Sequence, residues 1–238
     1  MNISRLIAAL VVVALAFYAV QWGRRHPESL PWTPLVLDQP IGSFTGKKLA
    51  ALAADAPLCR TLLRQGGIEF TPLPTISRGQ CGYADGIELT LRPAWKPAPL
   101  RTACPVAAAL AVWERQVVRP AALKHFGQPV VAIDHLGSYN CRMIAGSSQP
   151  SEHATADAID ISGVRLRDGA RIAVKSDWAG SDGQPVTADS IARAAFLHDI
   201  RTGACDLFAT VLSPDYNAAH ADHLHLDQAQ RGYRGVCR

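Results

Sequence analysis

What most constrains this chain is where its cysteines lie. All six, Cys59, Cys81, Cys104, Cys141, Cys205 and Cys237, follow an N-terminal apolar run, Leu6 to Val20, that Arg5 precedes and Gln21 ends. Such a run directs export, and in an oxidising compartment an even number of cysteines reads as up to three disulfides. No two are spaced Cys-x-x-Cys, so they are expected to staple a fold rather than hold a metal. Their pairing is left open.

The run falls short of the ~20 residues a bilayer asks of a spanning helix. Ala14 to Ala16 supply a small-x-small cleavage pattern. Counting on to Trp22 brings it to the margin of an anchor, but Arg24 and Arg25 then lie where the positive-inside rule disfavours them for an exported end. Residues 1–20 therefore read as a signal peptide in preference to a membrane anchor. Contact with a membrane is expected only through them, if they stay uncleaved. Residues 21–45 carry Pro27, Pro31, Pro34 and Pro40 without an apolar period and read as an extended tether. Residues 46–238 are the expected domain.

The net charge of +4 is spread without a basic stripe, which gives no electrostatic case for nucleic acid. A monomer is expected. Gly and Pro, 18 and 16 of 238 residues, favour a loop-rich α+β domain over long helices. "KKLAALAADAPLCRTLLRQGG" reads as a helix interrupted near Pro57 and stopped by Gly66-Gly67, and Ile68 to Leu91 as short irregular strands. "CPVAAALAVWERQVVRPAALKHFG" is the strongest helix, with Val106, Leu110, Trp113 and Val117 on one face, a kink or split at Pro120 and a stop at Gly127. "PVVAIDHLGSYNCR" reads as a strand leading into a polar loop. "DAIDISGVRLRDGARIAVK" reads as a strand pair turning at Asp168-Gly169. "ADSIARAAFLHDIRTGA" is a second helix that Asp189 would cap, and "CDLFATVLSP" and "HLHLDQ" are the last strands. The economical arrangement is a mostly antiparallel sheet with helices packed on one side.

Histidine is scarce, and four of the eight fall in "SEHATADAID" (Ser151–Asp160) and "HADHLHLD" (His220–Asp227). Strand alternation puts His223, His225 and Asp227 on one face, with Leu224 and Leu226 inward. The same rule puts Ala156, Ala158 and Asp160 on one face, with Ile159 and Ile161 opposite. Two neighbouring strands can then present Asp160 and His225 to each other, with His153 folding over them. Two histidines and an aspartate give zinc three ligands and leave a position for water. A hydrogen-bonded polar network without metal fits the same spacing. His26, His125 and His198 read as bystanders, and His135 and His220 are not assigned a role. Trp113 reads as core, and Trp178 as a groove lining or a cover for the sheet edge.

"SEHATADAID" resembles the Ser-x-His-x-x-Gly-x-Ala-x-Asp segment of zinc D-Ala-D-Ala carboxypeptidases and related peptidoglycan peptidases, a group shared with lysostaphin-type enzymes and the hedgehog domain. More closely, "SYNCRMIAGSSQPSEHATADAIDISG" with "HADHLHLD" resembles the extensin-like C-terminal domain of bacterial exported proteins, over roughly Leu58 to Cys237. The resemblance implies that His153, Asp160 and His225 bind zinc and that Asp222 or His223 is the general base, strand geometry favouring His223. It implies that Arg142 pairs with a substrate carboxylate, that Ser151 orients His153 or the substrate, and that Asp227 supports a ligand histidine. Ala156 replaces the peptidases' Gly, which is harmless if the backbone there is ordinary β, and Asp222 replaces a Glu. The implied protein is a periplasmic or cell-envelope zinc peptidase acting on peptidoglycan peptides. The alternatives are a zinc-bearing binding module without activity and a metal-free envelope structural protein.

Overall fold

The computed structural model describes residues 2–90, 93–180, 185–229 and 235–238. Leu91, where the irregular strand region was expected to end, lies outside them, as does much of the loop after Trp178. The apolar run sits within a single helix, α1 (Ile3–Arg25), long and apolar enough to cross a membrane and with no buried residue. At 1.5 Å per residue it is ~34 Å long.

Residues 26–44 do not hang free as a tether. Leu37 is buried in the core, Arg115 pairs with Asp38 at 2.7 Å, and Gln116 Nε2 donates to the carbonyls of Leu37 and Gln39. Prolines deny this stretch a regular ladder, but side chains of the domain take up its free carbonyls, so an irregular strand of chain can still dock.

Helices α2 (Thr45–Ala51) and α3 (Ala56–Gln65) follow, divided by a 3-10 turn. Asp55 accepts the Leu58 N–H to restart the helix, with Pro57 in its first turn. Six short strands come next: β1 (Phe70–Pro72), β2 (Ile76–Arg78), β3 (Cys81–Tyr83), β4 (Gly86–Leu89), β5 (Ala94–Lys96) and β6 (Leu100–Ala103). β1, β4 and β6 make a small antiparallel sheet, β2 and β3 a ribbon, and β5 joins the main sheet.

All ten residues of α4 (Cys104–Trp113) are buried, so the helix is apolar all round rather than on one face and lies inside the molecule. A π-turn at Glu114–Val118 leads into α5 (Arg119–Phe126). It sits just before Pro120, which has no N–H for the usual bond back to Gln116. Gly127, at φ 65°, ends the helix in the left-handed region.

The main sheet is built from β7 (Val130–Gly137), β8 (Ala158–Leu166), β9 (Arg171–Ala173), β10 (Thr210–Leu212), β11 (Leu224–Asp227) and β12 (Val236–Cys237), with α6 (Val174–Asp177) and α7 (Ala188–Ala204) between β9 and β10. Its order is β12-β10-β11-β8-β7-β5, antiparallel except for β5 beside β7 and β10 beside β12. β8 pairs with β11 along its first half and with β9 along its second. Ile133, Ile159, Ile161, Leu224 and Leu226 join one core with Val106, Leu110 and Trp113 of α4 and Phe196 and Ile200 of α7. Trp113 Nε1 donates to the Ile200 carbonyl at 2.8 Å, satisfying its buried N–H. Thr187 caps α7 in a reciprocal box with Ser190; the expected cap, Asp189, sits in the first turn and pairs with Arg193.

The cysteines form Cys59–Cys104, Cys81–Cys141 and Cys205–Cys237, leaving none free. The first ties α3 to the start of α4, and the last ties the end of α7 to β12. Cys81–Cys141 fastens β3 to the chain leaving β7, beside the histidine cluster.

Candidate metal centre

Ser151 opens a 3-10 turn, Glu152–Thr155, its Oγ accepting the His153 N–H at 3.4 Å. The turn closes at Ala156 with φ 60° and ψ 16°, in the left-handed region rather than the β backbone expected there. This reversal lifts His153 off the strand and over the sheet. Ala156 is held by its carbonyl, which accepts from the Ala103 N–H and the Thr102 and Ser138 hydroxyls. The chain then enters β8, where Asp160 lies directly opposite His225 on β11.

Three ligand atoms converge. His153 Nε2 is 3.2 Å from Asp160 Oδ1 and 3.2 Å from His225 Nδ1, and His225 Nδ1 is 2.9 Å from Asp160 Oδ1. Ligands ~2.0–2.1 Å from a tetrahedral zinc stand about 3.3 Å apart, so the triangle matches three corners of such a site in size and in donor type. The outer nitrogens are held as well. His153 Nδ1 donates to the Ser138 carbonyl at 2.7 Å, leaving Nε2 as the inward lone pair. His225 Nε2 donates to Asp227 Oδ2 at 3.2 Å, and Asp227 Oδ1 accepts the Ala229 N–H. A carbonyl behind one histidine and a carboxylate behind the other fix ring orientation and basicity, as metal ligands require.

The electrostatics follow from the contacts. Burial pushes the Asp160 carboxyl up, but the imidazoles of His153 and His225 set against it overcome this and hold it well below the usual carboxylate range. Burial pushes His225 down, yet the Asp160 and Asp227 carboxylates on its two nitrogens raise it to about 9. Without a metal, a proton therefore occupies His225 Nδ1 at neutral pH.

His223 precedes β11 and points to the same side, its Nε2 3.5 Å from Asp160 Oδ1 and its Nδ1 2.8 Å from Asp222 Oδ1. Asp222 is turned away from the ligand triangle and reaches it only through His223. Arg142 is exposed, with its charge felt at His220. Ser151 is buried and spent on the turn.

His220, which the sequence left without a role, belongs to this cluster. Its ring centroid is 5.2 Å from that of His223 and 5.9 Å from that of His225. Asn217 Oδ1 accepts from its Nδ1 at 2.7 Å, and Tyr216 packs edge-on against it. Burial and the neighbouring histidines hold it down to about 4, so it stays neutral. Its spacing, three residues before His223, was the available signal. Trp178 is buried rather than lining a groove; its Nε1 donates to Asp215 and its ring stacks on His198. His125 pairs with Asp199, His26 with Glu28, and His135 Nε2 with the Pro97 carbonyl, all away from the centre.

No curated protein and no solved structure matches the chain. The family model described as extensin-like protein C-terminus matches residues 57–238, from the first turn of α3 through β12 and across every residue of the centre. This chain belongs to the extensin-like protein C-terminus family.

Proposed function

We propose that the protein is a zinc-dependent peptidase exported to the periplasm or cell envelope, acting on the stem or cross-bridge peptides of peptidoglycan. The carrying observation is the triangle of His153 Nε2, Asp160 Oδ1 and His225 Nδ1, with His223 3.5 Å from Asp160 at its margin. The substrate class rests on the likeness of the Ser151–Asp160 segment to the zinc D-Ala-D-Ala peptidases. The apolar α1 and three disulfides suit an exported chain.

In this reading His153, Asp160 and His225 hold zinc. When bound, zinc lowers the pKa of water toward ~7 and polarises a scissile carbonyl. His223 is the general base. Asp222 takes its Nδ1–H, so the Nε2 lone pair faces the centre, accepts a proton there and returns it to the leaving amine. Asp227 keeps the His225 proton on Nε2, away from the metal side. Arg142 offers its guanidinium fork to a substrate carboxylate.

The test uses the full chain, because residues 26–44 dock on the domain. Mass spectrometry is expected to find about one zinc per wild-type chain, lost in His225→Ala. His223→Ala is expected to keep zinc and lose ~10²–10⁴ in turnover of defined muropeptides. No zinc after reconstitution would sink the reading. Zinc without turnover on any muropeptide would leave a recognition module.

A further inference from the structure

Between β7 and the His153 turn, the chain makes an arm. Ser151 N–H donates to the Arg142 carbonyl at 3.0 Å, Ile144 N–H to the Gln149 carbonyl at 2.9 Å, and Met143 and Pro150 face each other as a bridge pair. The arm is a two-stranded ribbon, exposed from Cys141 to Gln149. Its base is bonded to a ligand residue: Asn140 N–H donates to the His153 carbonyl at 2.9 Å. The Cys81–Cys141 disulfide pins the same base to β3.

In a pair of this type, the residues between the bonded positions turn their N–H and C=O away from the partner strand. Those of Met143 thus point outward, and among the described residues nothing bonds them. The opposite edge carries Pro150, which has no N–H to give. The arm therefore has one edge able to accept another strand and one that is blocked. Open edges are usually covered, charged or bulged. This one is left open on an arm whose base bonds His153, and the charge of Arg142 beside it reaches His220.

We propose that the Cys141–Ile144 edge docks an extended peptide, which pairs its backbone with the N–H and C=O of Met143 and so runs past His223. The inference rests on the peptidase reading and adds how the substrate is gripped. A grip through main chain takes N–H and C=O of any extended peptide residue and reads side-chain chemistry weakly, leaving selection to Arg142 and the histidine side.

The experiment compares wild type, Met143→Ala and Met143→Pro as full chains, titrated calorimetrically with Nα,Nε-diacetyl-Lys-D-Ala-D-Ala. Alanine keeps the edge N–H and proline removes it, at a position where the arm's own ladder uses no N–H. Zinc content and melting temperature are expected to be equal in all three. Met143→Pro is expected to weaken tripeptide binding about tenfold or more, and Met143→Ala less than about threefold. In wild type, exchange of the Met143 amide is expected to slow when the tripeptide binds. Equal affinity of the two variants, or unchanged exchange with peptide bound, overturns the edge while leaving the peptidase reading intact. A wild type that holds zinc but neither binds the tripeptide nor turns over any muropeptide overturns both. Concentration-dependent dimers lost in Met143→Pro would give the edge to a second copy of the chain and overturn the proposal.

Discussion

Asp160 and His225 are direct cross-strand partners on β8 and β11, with Oδ1 and Nδ1 2.9 Å apart. Because the pair is set by strand register, the backbone ladder itself brings a carboxylate and an imidazole together. A slip of one residue in β11 would turn His225 toward the core and set a leucine opposite Asp160. The other contacts of the centre are built around this pair: His153 from above, Asp227 from behind and His223 from the side.

Under the proposed zinc reading, the pair makes metal binding depend on pH. His225 keeps its extra proton up to about 9, and a metal must displace it from Nδ1. Below that pH, apparent zinc affinity should fall about tenfold per unit. Calorimetry in buffers of different ionisation heat should read about one proton released per ion near pH 7. Release of no proton would place the metal elsewhere.

The metal-free fold should respond in the opposite sense on its alkaline side. His225 is raised from 6.5 to about 9, so its contribution is complete below 6.5 and is lost as pH rises through about 9. Asp160 is lowered from 3.8, so its contribution is present above 3.8 and is lost as pH falls below that. Thermal melts of chelator-treated protein should therefore peak in the mildly acidic range and decline toward about pH 9. A flat profile through that decline would contradict the ion-pair account.

Asp227→Asn tests the support behind the ligand. The carboxylate accepts from His225 Nε2–H and from the Ala229 N–H with different oxygens, and an amide can do only one of these. If its NH₂ faces the ring, it favours the tautomer protonated on the metal side. Zinc affinity should drop by ~10–100-fold. Asp222→Asn, one residue from the cluster but bonded only to His223, should leave zinc affinity unchanged.

Much of this centre was legible because strands have a period of two. Asp160, His225 and Asp227 share a face whatever surrounds them, and the isoleucines and leucines between them say which face is inward. Legibility failed where tertiary contacts override local pattern. "ATADAID" reads as continuous strand, but the carbonyl of Ala156 is held by three donors from β6 and the start of the arm, and the chain turns left-handed there. His220 joins the cluster only because Asn217 and Tyr216 fold its turn back on it. Residues 26–44 have no period at all, and their docking depends on Arg115 and Gln116, more than seventy residues away.

The Cys81–Cys141 bridge should matter to the site more than the others do. Its 60-residue loop predicts ~4 kcal/mol of stability by chain entropy, close to the figure for the 45-residue loop of Cys59–Cys104. Replacing either pair with serines should lower the melting temperature by similar amounts. Only Cys81→Ser with Cys141→Ser frees the base of the arm beside His153, so only that variant should also weaken peptide binding while keeping zinc. Equal peptide affinity in the two double variants would detach the arm from recognition.

Ala156 carries the sharpest test of the local backbone. At φ 60° an alanine costs ~1 kcal/mol relative to glycine, because its Cβ crowds the following carbonyl. Its methyl is fully buried, which returns about 0.8 kcal/mol. The two terms nearly cancel, so Ala156→Gly should change stability by less than ~1 kcal/mol and leave zinc affinity as it was. Ala156→Val adds volume in a filled site and puts a β-branched side chain at positive φ, and it should cost ~3 kcal/mol or more. Because the turn at Ala156 sets the height of His153 above the sheet, the valine variant should also lose zinc at concentrations that saturate wild type. Denaturant titration and metal content on the three proteins would check this. A valine variant as stable as wild type would mean that the chain passes position 156 in an ordinary extended conformation, and that His153 reaches Asp160 by another route.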